Sequence, residues 1–439
     1  MGKLILIIAI LVEIIFTVYC IKTKDNQARI RSWLRISSFV LFIALALISI
    51  IEWSFRWYSL FAVLLVLAVI GGIRLLTKKF GKRPYKTSRT VLKGISMLLV
   101  LTFAIIPALI FPQYKLPQMT GDYEVASSAF TYIDNNRIET FTDAGDNRKV
   151  NVEFWYPANT EGNYPLIIFS HGAFGVKMSN TSTYMELASN GYVVCSIDHP
   201  YHAAGTMDTE GKLTIGSSEF MQEVVGANSG VYSEEEELET YDRWMAVRTG
   251  DMNFIIDTII NNVNGNKDGV YKLVDTDRIG LMGHSLGGAA STQLGRDRDD
   301  IDAVVNIDGT MLGEYKGFKD GEPIMNNEAY TVPLLSFYSQ LVIDQLEANP
   351  DYIYPNKYLS SISSDAFEVC ITGSGHMSYT DLPLFSPLLA NMLSGMSGPS
   401  AQAASVDEYY CIETMNDLIL KFFNCYIKGE GNFVVEEVY

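Results

Sequence analysis

Cysteine and histidine are both scarce, at five each in 439 residues. The cysteines (Cys20, Cys195, Cys370, Cys411, Cys425) form no C-x-x-C pair and do not cluster with histidine, so nothing points to a thiolate metal site. Cys411 and Cys425 fall on one predicted helix, about 21 Å apart at its rise per residue, too far to bridge. Cys195 and Cys370 lie in apolar strand-like runs, where a thiol packs as a small hydrophobe. We therefore expect no disulfide scaffold, no metal and no cofactor.

Acids are scarce in the first part of the chain and bases are outnumbered in the second. Residues 1–112 hold 15 of the 33 Lys and Arg but only three acids (Glu13, Asp25, Glu52), a net of +12. Residues 113–439 carry 18 basic and 47 acidic groups, a net of −29, which repels phosphate and argues against a nucleic-acid partner. There is no internal repeat and no long low-complexity tract.

Long apolar runs are confined to the first part, at roughly 4–21, 36–51, 57–73 and 94–111, each near the length that crosses a bilayer. Only "EWSFRW" separates the second and third, which predicts a hairpin with Trp53 and Trp57 in the interfacial belt. Glu13, inside the first run, is read as a protonated or helix-paired carboxyl rather than a relay. The first run lacks an A-x-A-like cleavage site and three more follow, so it is an anchor rather than a signal peptide. Residues 22–35 carry five Lys or Arg and residues 74–93 carry eight, while the hairpin tip has only Arg56. The positive-inside rule sets both basic loops in the cytoplasm. The expectation is an integral plasma membrane protein, with a four-span anchor over 1–112 and a catalytic domain over 113–439 outside the cytoplasm.

Beyond residue 113 strand and helix patterns alternate. Strands are predicted at 124–132, 149–155, 165–169, 192–197, 278–282, 301–307, 332–337 and 366–371, the later ones nearly continuous apolar runs. A long helix over 234–263 opens with capping-box spacing between Ser233 and Glu236. Its Leu238, Tyr241, Met245, Met252, Ile256, Ile259 and Val263 recur every three or four residues, the apolar face of a helix on a sheet. Such alternation implies an α/β fold with a mainly parallel sheet covered on both faces. Residues 198–232 and 310–331 read as irregular excursions over a site.

One stretch concentrates small residues around a serine: "RIGLMGHSLGGAA", 278–290. A strand, a G-x-S-x-G turn and a helix make a nucleophile elbow, which exposes the hydroxyl of Ser285. A serine needs a base, and five histidines leave few choices. His284 adjoins the serine and points elsewhere; His171, His199 and His202 precede it. His376, in "CITGSGHMSYTD", follows a strand and comes last, as the order Ser, acid, His requires. The acid should end a strand between them, and "AVVNIDGT" provides Asp308, whereas Asp302 lies at the wrong end of that strand. Backbone N–H groups for a developing oxyanion come from Leu286 and from the turn in "FSHGAFG", with Ala173 first and Phe174 beside it. Phe174, together with His199 and His202 in "DHPYHAAG", is a candidate to line the substrate pocket.

Together these residues resemble the platelet-activating-factor acetylhydrolase-like branch of the α/β-hydrolases. "TGDYEVASSAF" (120–130) is similar to that family's T-G-P-Y-like opening, with Asp122 in place of proline. "FSHGAFG", "GHSLGG", Asp308 about two dozen residues on, and "GSGHMSYTDL" match in turn, so the resemblance runs from about 120 to 430. It implies an α/β-hydrolase fold and metal-free cleavage of a small-molecule or lipid ester, often with a short or oxidised acyl chain. Residues 379–395, apolar and just after His376, are read as acyl-pocket wall, membrane contact or core helix. Acyl transfer to an envelope acceptor and ligand binding without catalysis are the rival functions. Oligomeric state is not legible.

Overall fold

The computed structural model describes residues 1–78, 80, 84–265, 268–319, 321–394 and 404–439. It divides into two compact units, Met1–Lys115 with Leu384–Leu389, and Leu116–Pro383 with Ala390–Tyr439.

The first unit holds helices α1 (Gly2–Thr23), α2 (Ala28–Leu47), α3 (Tyr58–Thr77) and α4 (Thr87–Ile110). All four are long and apolar enough to cross a membrane. Leu4, Ile15, Leu41, Val66 and Phe103 are exposed, an outward apolar surface that suits lipid rather than water. Glycine sets the close approaches between helices. A Cβ on Gly71 of α3 would lie 2.8 Å from the Ser32 oxygen of α2, and one on Gly94 of α4 would lie 2.6 Å from Oγ1 of Thr17 on α1. Small residues at such crossings let backbones touch where no hydrophobic force joins them. The belt prediction needs correction at Trp57, which is 1% exposed and packs against Phe42; Trp53 is the exposed indole. The second helix also starts and stops earlier than its apolar run, because Ile50 and Ile51 donate back to the Leu45 carbonyl and end it.

In the second unit eight strands form one sheet: β1 (Val125–Ile138), β2 (Asn147–Pro157), β3 (Tyr164–Ser170), β4 (Val193–Asp198), β5 (Val274–His284), β6 (Ala303–Ile307), β7 (Leu334–Ser339) and β8 (Ala366–Ile371). Their order is β1-β2-β4-β3-β5-β6-β7-β8. The first two pairings are antiparallel and the remaining five parallel.

Successive side chains of a strand face opposite ways, and the parallel strands are apolar in both directions. Leu166, Ile168, Cys195, Leu281 and Val304 pack under α6 (Glu234–Gly265) and α7 (Leu286–Asp297), where Met252, Ile256, Ile259 and Leu294 are buried. Ile167, Phe169, Val194, Met282 and Val305 pack under α5 (Thr181–Ser189) and α8 (Glu408–Tyr426). Each buried Ile, Leu or Met contributes roughly 2 kcal/mol of transfer free energy, so the two faces hold the sheet from both sides. Helix α6 begins as its sequence predicts: the Ser233 amide donates to Glu236 Oε2 at 2.9 Å, and the Glu236 amide donates to Ser233 Oγ at 3.3 Å. This is the α/β-hydrolase architecture.

The two excursions carry more order than their sequences suggest. Residues 198–232 contain a hairpin (Gly205–Met207 with Leu213–Ile215) and a helix, Ser218–Asn228, capped by the Ser217 hydroxyl. Residues 310–331 contain a second hairpin, Tyr315–Lys319 with Glu322–Met325. At the far edge the chain's last residues lie along β8: the Cys370 amide donates to the Glu437 carbonyl at 2.8 Å and the Tyr439 amide to the Cys370 carbonyl at 2.9 Å. The apolar stretch 379–395 becomes two short helices, Leu382–Phe385 and Pro387–Ser394; residue 395 lies outside the described residues.

Candidate active site

Ser285 stands between β5 and α7 with φ 54° and ψ −126°, a conformation that costs a non-glycine residue of order 1–3 kcal/mol. The neighbouring glycines are sterically required. A Cβ on Gly287 would lie 2.0 Å from the Ser170 oxygen, and one on Gly283 would lie 2.3 Å from the Gly287 carbonyl carbon. The Ser285 amide donates to the Ile307 carbonyl at 2.8 Å. Within 279–292 every residue is buried except Ser285. The turn thus presents one partly exposed hydroxyl from an otherwise closed element.

Asp308 follows β6, also at positive φ (52°), with its amide donating to the Phe337 carbonyl. Asn306 braces that turn, donating from Nδ2 to the Gly309 carbonyl at 2.7 Å and accepting the Gly309 amide at 3.1 Å. His376 opens a short helical turn after β8, and its Nδ1 lies 2.7 Å from Asp308 Oδ2. The other oxygen of Asp308 accepts the Ser339 amide at 2.6 Å. Burial pushes this carboxyl upward, but the His376 hydrogen bond and charge and the Ser339 amide outweigh it and hold it below its ordinary value. The side chain of Asp308 is 1% exposed and that of His376 is 27% exposed, so the imidazole reaches solvent while the carboxylate does not.

His284 joins these turns. Its Nε2 lies 2.9 Å from the His376 carbonyl oxygen, and the two rings are 4.5 Å apart. Burial, and then the charge of His376, pull its imidazole down to about 3, so it is neutral and donates from Nε2. The turn after β3 abuts the same place: a Cβ on Gly172 would be 3.0 Å from Ser285 Cβ and 3.0 Å from His284 Nδ1. Among the described residues the Ala173 and Leu286 amides have no protein acceptor, whereas Phe174 donates its amide to the His202 carbonyl at 2.9 Å. Ser285, Asp308, His376 and the 171–174 turn therefore gather at the carboxyl ends of β5, β6, β8 and β3, where α/β sheets bind ligands.

The pocket assignment changes for two residues. His199 is wholly buried, bonded through Nε2 to Ser170 Oγ at 2.9 Å and through Nδ1 to Asp251 at 3.0 Å. His202 is 2% exposed, stacked on Phe220, and accepts at Nδ1 from Arg248 Nε at 3.2 Å. Both lie beneath the turn instead of lining a cavity, because charged partners on α6 draw their rings inward. Burial and the Arg248 charge hold both imidazoles below the ordinary histidine range, His199 at about 3. Phe174 keeps a partly exposed position, packed on Phe220.

Below this turn lies a set of charges that the motifs did not announce. Asp251 accepts Arg148 through Nε at 2.7 Å and Nη2 at 2.6 Å, and Arg137 at 2.8 Å; Arg148 also bonds Glu139 at 2.9 Å. Arg248, entirely buried, donates to the carbonyls of His171 at 2.5 Å and Gly172 at 3.2 Å. A signal was present in the sequence. Arg248 stands three residues after Met245 and four before Met252, within the buried stripe, where an unpaired charge is rarely tolerated. Among the described residues no His, Cys, Asp and Glu group has the arrangement of a metal site.

This architecture and turn geometry define an α/β-hydrolase with a Ser, His and Asp at the expected strand ends. The chain matches the family model "platelet-activating factor acetylhydrolase, isoform II" over residues 136–436, and it belongs to that family. It is 22% identical over 289 residues to platelet-activating factor acetylhydrolase of Canis lupus familiaris, covering 63% of this chain and 60% of the relative. For the Cavia porcellus protein of the same name the identity is 23%, covering 65% and 62%. A probable 1-alkyl-2-acetylglycerophosphocholine esterase of Arthroderma benhamiae is 26% identical, covering 41% and 42%. The chain thus spans about three fifths of the length of the first two relatives. Among solved structures, a ferulic acid esterase from Streptomyces cinnamoneus superposes with a TM-score of 0.55 at 18% identity, covering 72% of this chain and 94% of that one. That likeness is one of fold.

Proposed function

We propose that this protein is a membrane-anchored serine hydrolase of carboxylic esters, with short-chain acyl esters of the glycerophospholipid type as its substrate class. The observation that carries the proposal is the 2.7 Å contact between His376 and a buried Asp308 beside the strained turn of Ser285. In this mechanism Asp308 holds the His376 Nδ1 proton, which leaves Nε2 free to accept the Ser285 proton as Oγ attacks the acyl carbonyl. The Leu286 and Ala173 amides receive the negative oxygen. His376 then returns the proton to the leaving alcohol, and water releases the acyl group by the same path in reverse. No step requires a metal or cofactor.

The acetyl substrates printed in the relatives' names support a small acyl group. The four apolar helices support anchoring, with residues 1–112 as the anchor and 113–439 as the catalytic domain. The basic loops at 22–35 and 74–93 support a cytoplasmic side for those loops and an outward-facing site.

The test uses the full chain in detergent. A fluorophosphonate probe should label Ser285 by peptide mapping, and Ser285→Ala should lose both the adduct and p-nitrophenyl acetate hydrolysis with its circular dichroism unchanged. Parent-level turnover in Ser285→Ala would overturn the assignment.

A further inference from the structure

Among the described residues Arg248 is the largest charged side chain that is wholly buried, yet its hydrogen bonds go to neutral acceptors. Nε donates to His202 Nδ1, Nη1 to the His171 carbonyl and Nη2 to the Gly172 carbonyl. Asp251, one turn further along α6, is engaged by Arg148, Arg137 and His199. Burying a cation against carbonyls is costly, and a methionine or leucine of similar volume would pack this space without that cost. The arrangement therefore calls for a function that apolar packing would not supply.

That function follows from peptide geometry. Among the described residues no peptide bond is cis, and in a trans peptide the C=O and the following N–H point in opposite directions. The Gly172 oxygen is drawn to one side by three groups: Arg248 Nη2 at 3.2 Å, His171 Nδ1 at 2.6 Å and the Gly175 amide at 3.1 Å. The N–H of the same peptide belongs to Ala173 and must point away from Arg248. A Cβ built on Gly172 would lie 3.0 Å from both Ser285 Cβ and His284 Nδ1, so the same turn abuts the serine.

We propose that Arg248 is a positioning residue for the oxyanion site: by holding the Gly172 carbonyl it turns the Ala173 N–H toward the carbonyl oxygen under attack by Ser285. Its charge also polarises that peptide, which strengthens the N–H as a donor. Asp251 fixes the scaffold beneath, joining Arg148 on β2 to His199 and, through His199, to Ser170 just before the turn. This inference rests on the reading of Ser285 as the nucleophile.

The experiment compares p-nitrophenyl acetate with its thiono analogue, in which C=S replaces C=O, on the full chain in detergent. Sulfur accepts hydrogen bonds poorly, so the ratio of the two kcat/KM values reports the oxyanion donors. Because both substrates are measured on one preparation, the ratio does not depend on the fraction folded. Arg248→Met should lower the oxygen-to-sulfur ratio about tenfold or more, with kcat for the ester falling about 10²-fold and KM within about threefold. Arg248→Lys, which keeps the charge but not the fork, should fall between. A ratio within about twofold of the parent in an active variant overturns the proposal. If neither variant turns over, an unchanged unfolding midpoint upholds it, and a midpoint lowered by about 10 °C or more assigns Arg248 to folding alone and overturns it. Absence of Ser285-dependent hydrolysis in the parent would instead overturn the functional reading beneath it.

Discussion

The Ser339 amide and the Oδ1 oxygen of Asp308 are 2.6 Å apart, and this bond dictates which way the carboxylate faces His376. A backbone N–H needs an acceptor. In Asp308→Asn the amide oxygen must therefore stay on Ser339, and the NH₂ group must face His376 Nδ1. The imidazole would then carry its proton on Nε2, the nitrogen that has to accept from Ser285. Asp308→Asn is expected to lower kcat by about 10⁴ with KM nearly unchanged. Steady-state kinetics on p-nitrophenyl acetate checks this, and activity within tenfold of the parent would remove Asp308 from the site.

Strain at Ser285 makes a second prediction of opposite sign for stability and activity. Glycine accepts positive φ without the steric cost that serine meets there. Ser285→Gly should abolish hydrolysis yet unfold at a higher temperature than Ser285→Ala, by roughly 1 kcal/mol in stability. Thermal melts of the two variants decide it; equal midpoints would mean the turn is relaxed.

Asp381 makes a pH-dependent contribution that one substitution isolates. It is buried against Ser182, whose amide donates to one oxygen and whose hydroxyl donates to the other. Burial raises its carboxyl from the ordinary 3.8 to about 6 in spite of those bonds. Between about pH 4 and 6 the folded protein holds this proton while the unfolded chain has lost it, so the contribution of Asp381 to stability falls as pH rises through that window, against the rise that the buried neutral His199 and His284 contribute there. Above it the ionised group costs on the order of 3 kcal/mol. Asp381→Asn, neutral at every pH, should melt several degrees above the parent at pH 8 and lose that advantage below about pH 4. Parallel melting curves across the range would show that Asp381 titrates normally.

The buried ion group around Asp251 gives the fourth prediction. Arg148→Met leaves Asp251 and Glu139 without their shared guanidinium in a closed space, a loss of about 3–5 kcal/mol. Urea unfolding should show the midpoint falling with little change in slope, and a shift under about 1 kcal/mol would mean water reaches the network.

Much of the second unit is legible from its sequence because parallel strands buried on both faces leave continuous apolar runs. The six strands from β3 to β8 lie where such runs occur, β1 and β2 lie where β-branched and aromatic residues alternate with polar ones, and α6 starts at the Ser233–Glu236 pair. Chain order and turn composition are local signals too, which is why Ser285, Asp308 and His376 could be named together. The charges under the turn are a different matter. Arg148 and Asp251 are 103 residues apart, and His199 and Asp251 are 52 apart, so no periodicity links them. A histidine at a strand end can turn outward to a pocket or inward to a partner; for His199 and His202 the deciding partners, Asp251 and Arg248, sit on a distant helix. Trp57 illustrates the same limit in the first unit, since its burial depends on Phe42 from another helix.

The strand of backbone that Glu437 to Tyr439 lay along Cys370 and Thr372 has a bearing on how the protein behaves in company. An open edge on β8 would offer unpaired amides and carbonyls to any extended segment nearby. Glu437 to Tyr439 engage this edge at Cys370 and Thr372, which withdraws those backbone groups from pairing with any other segment.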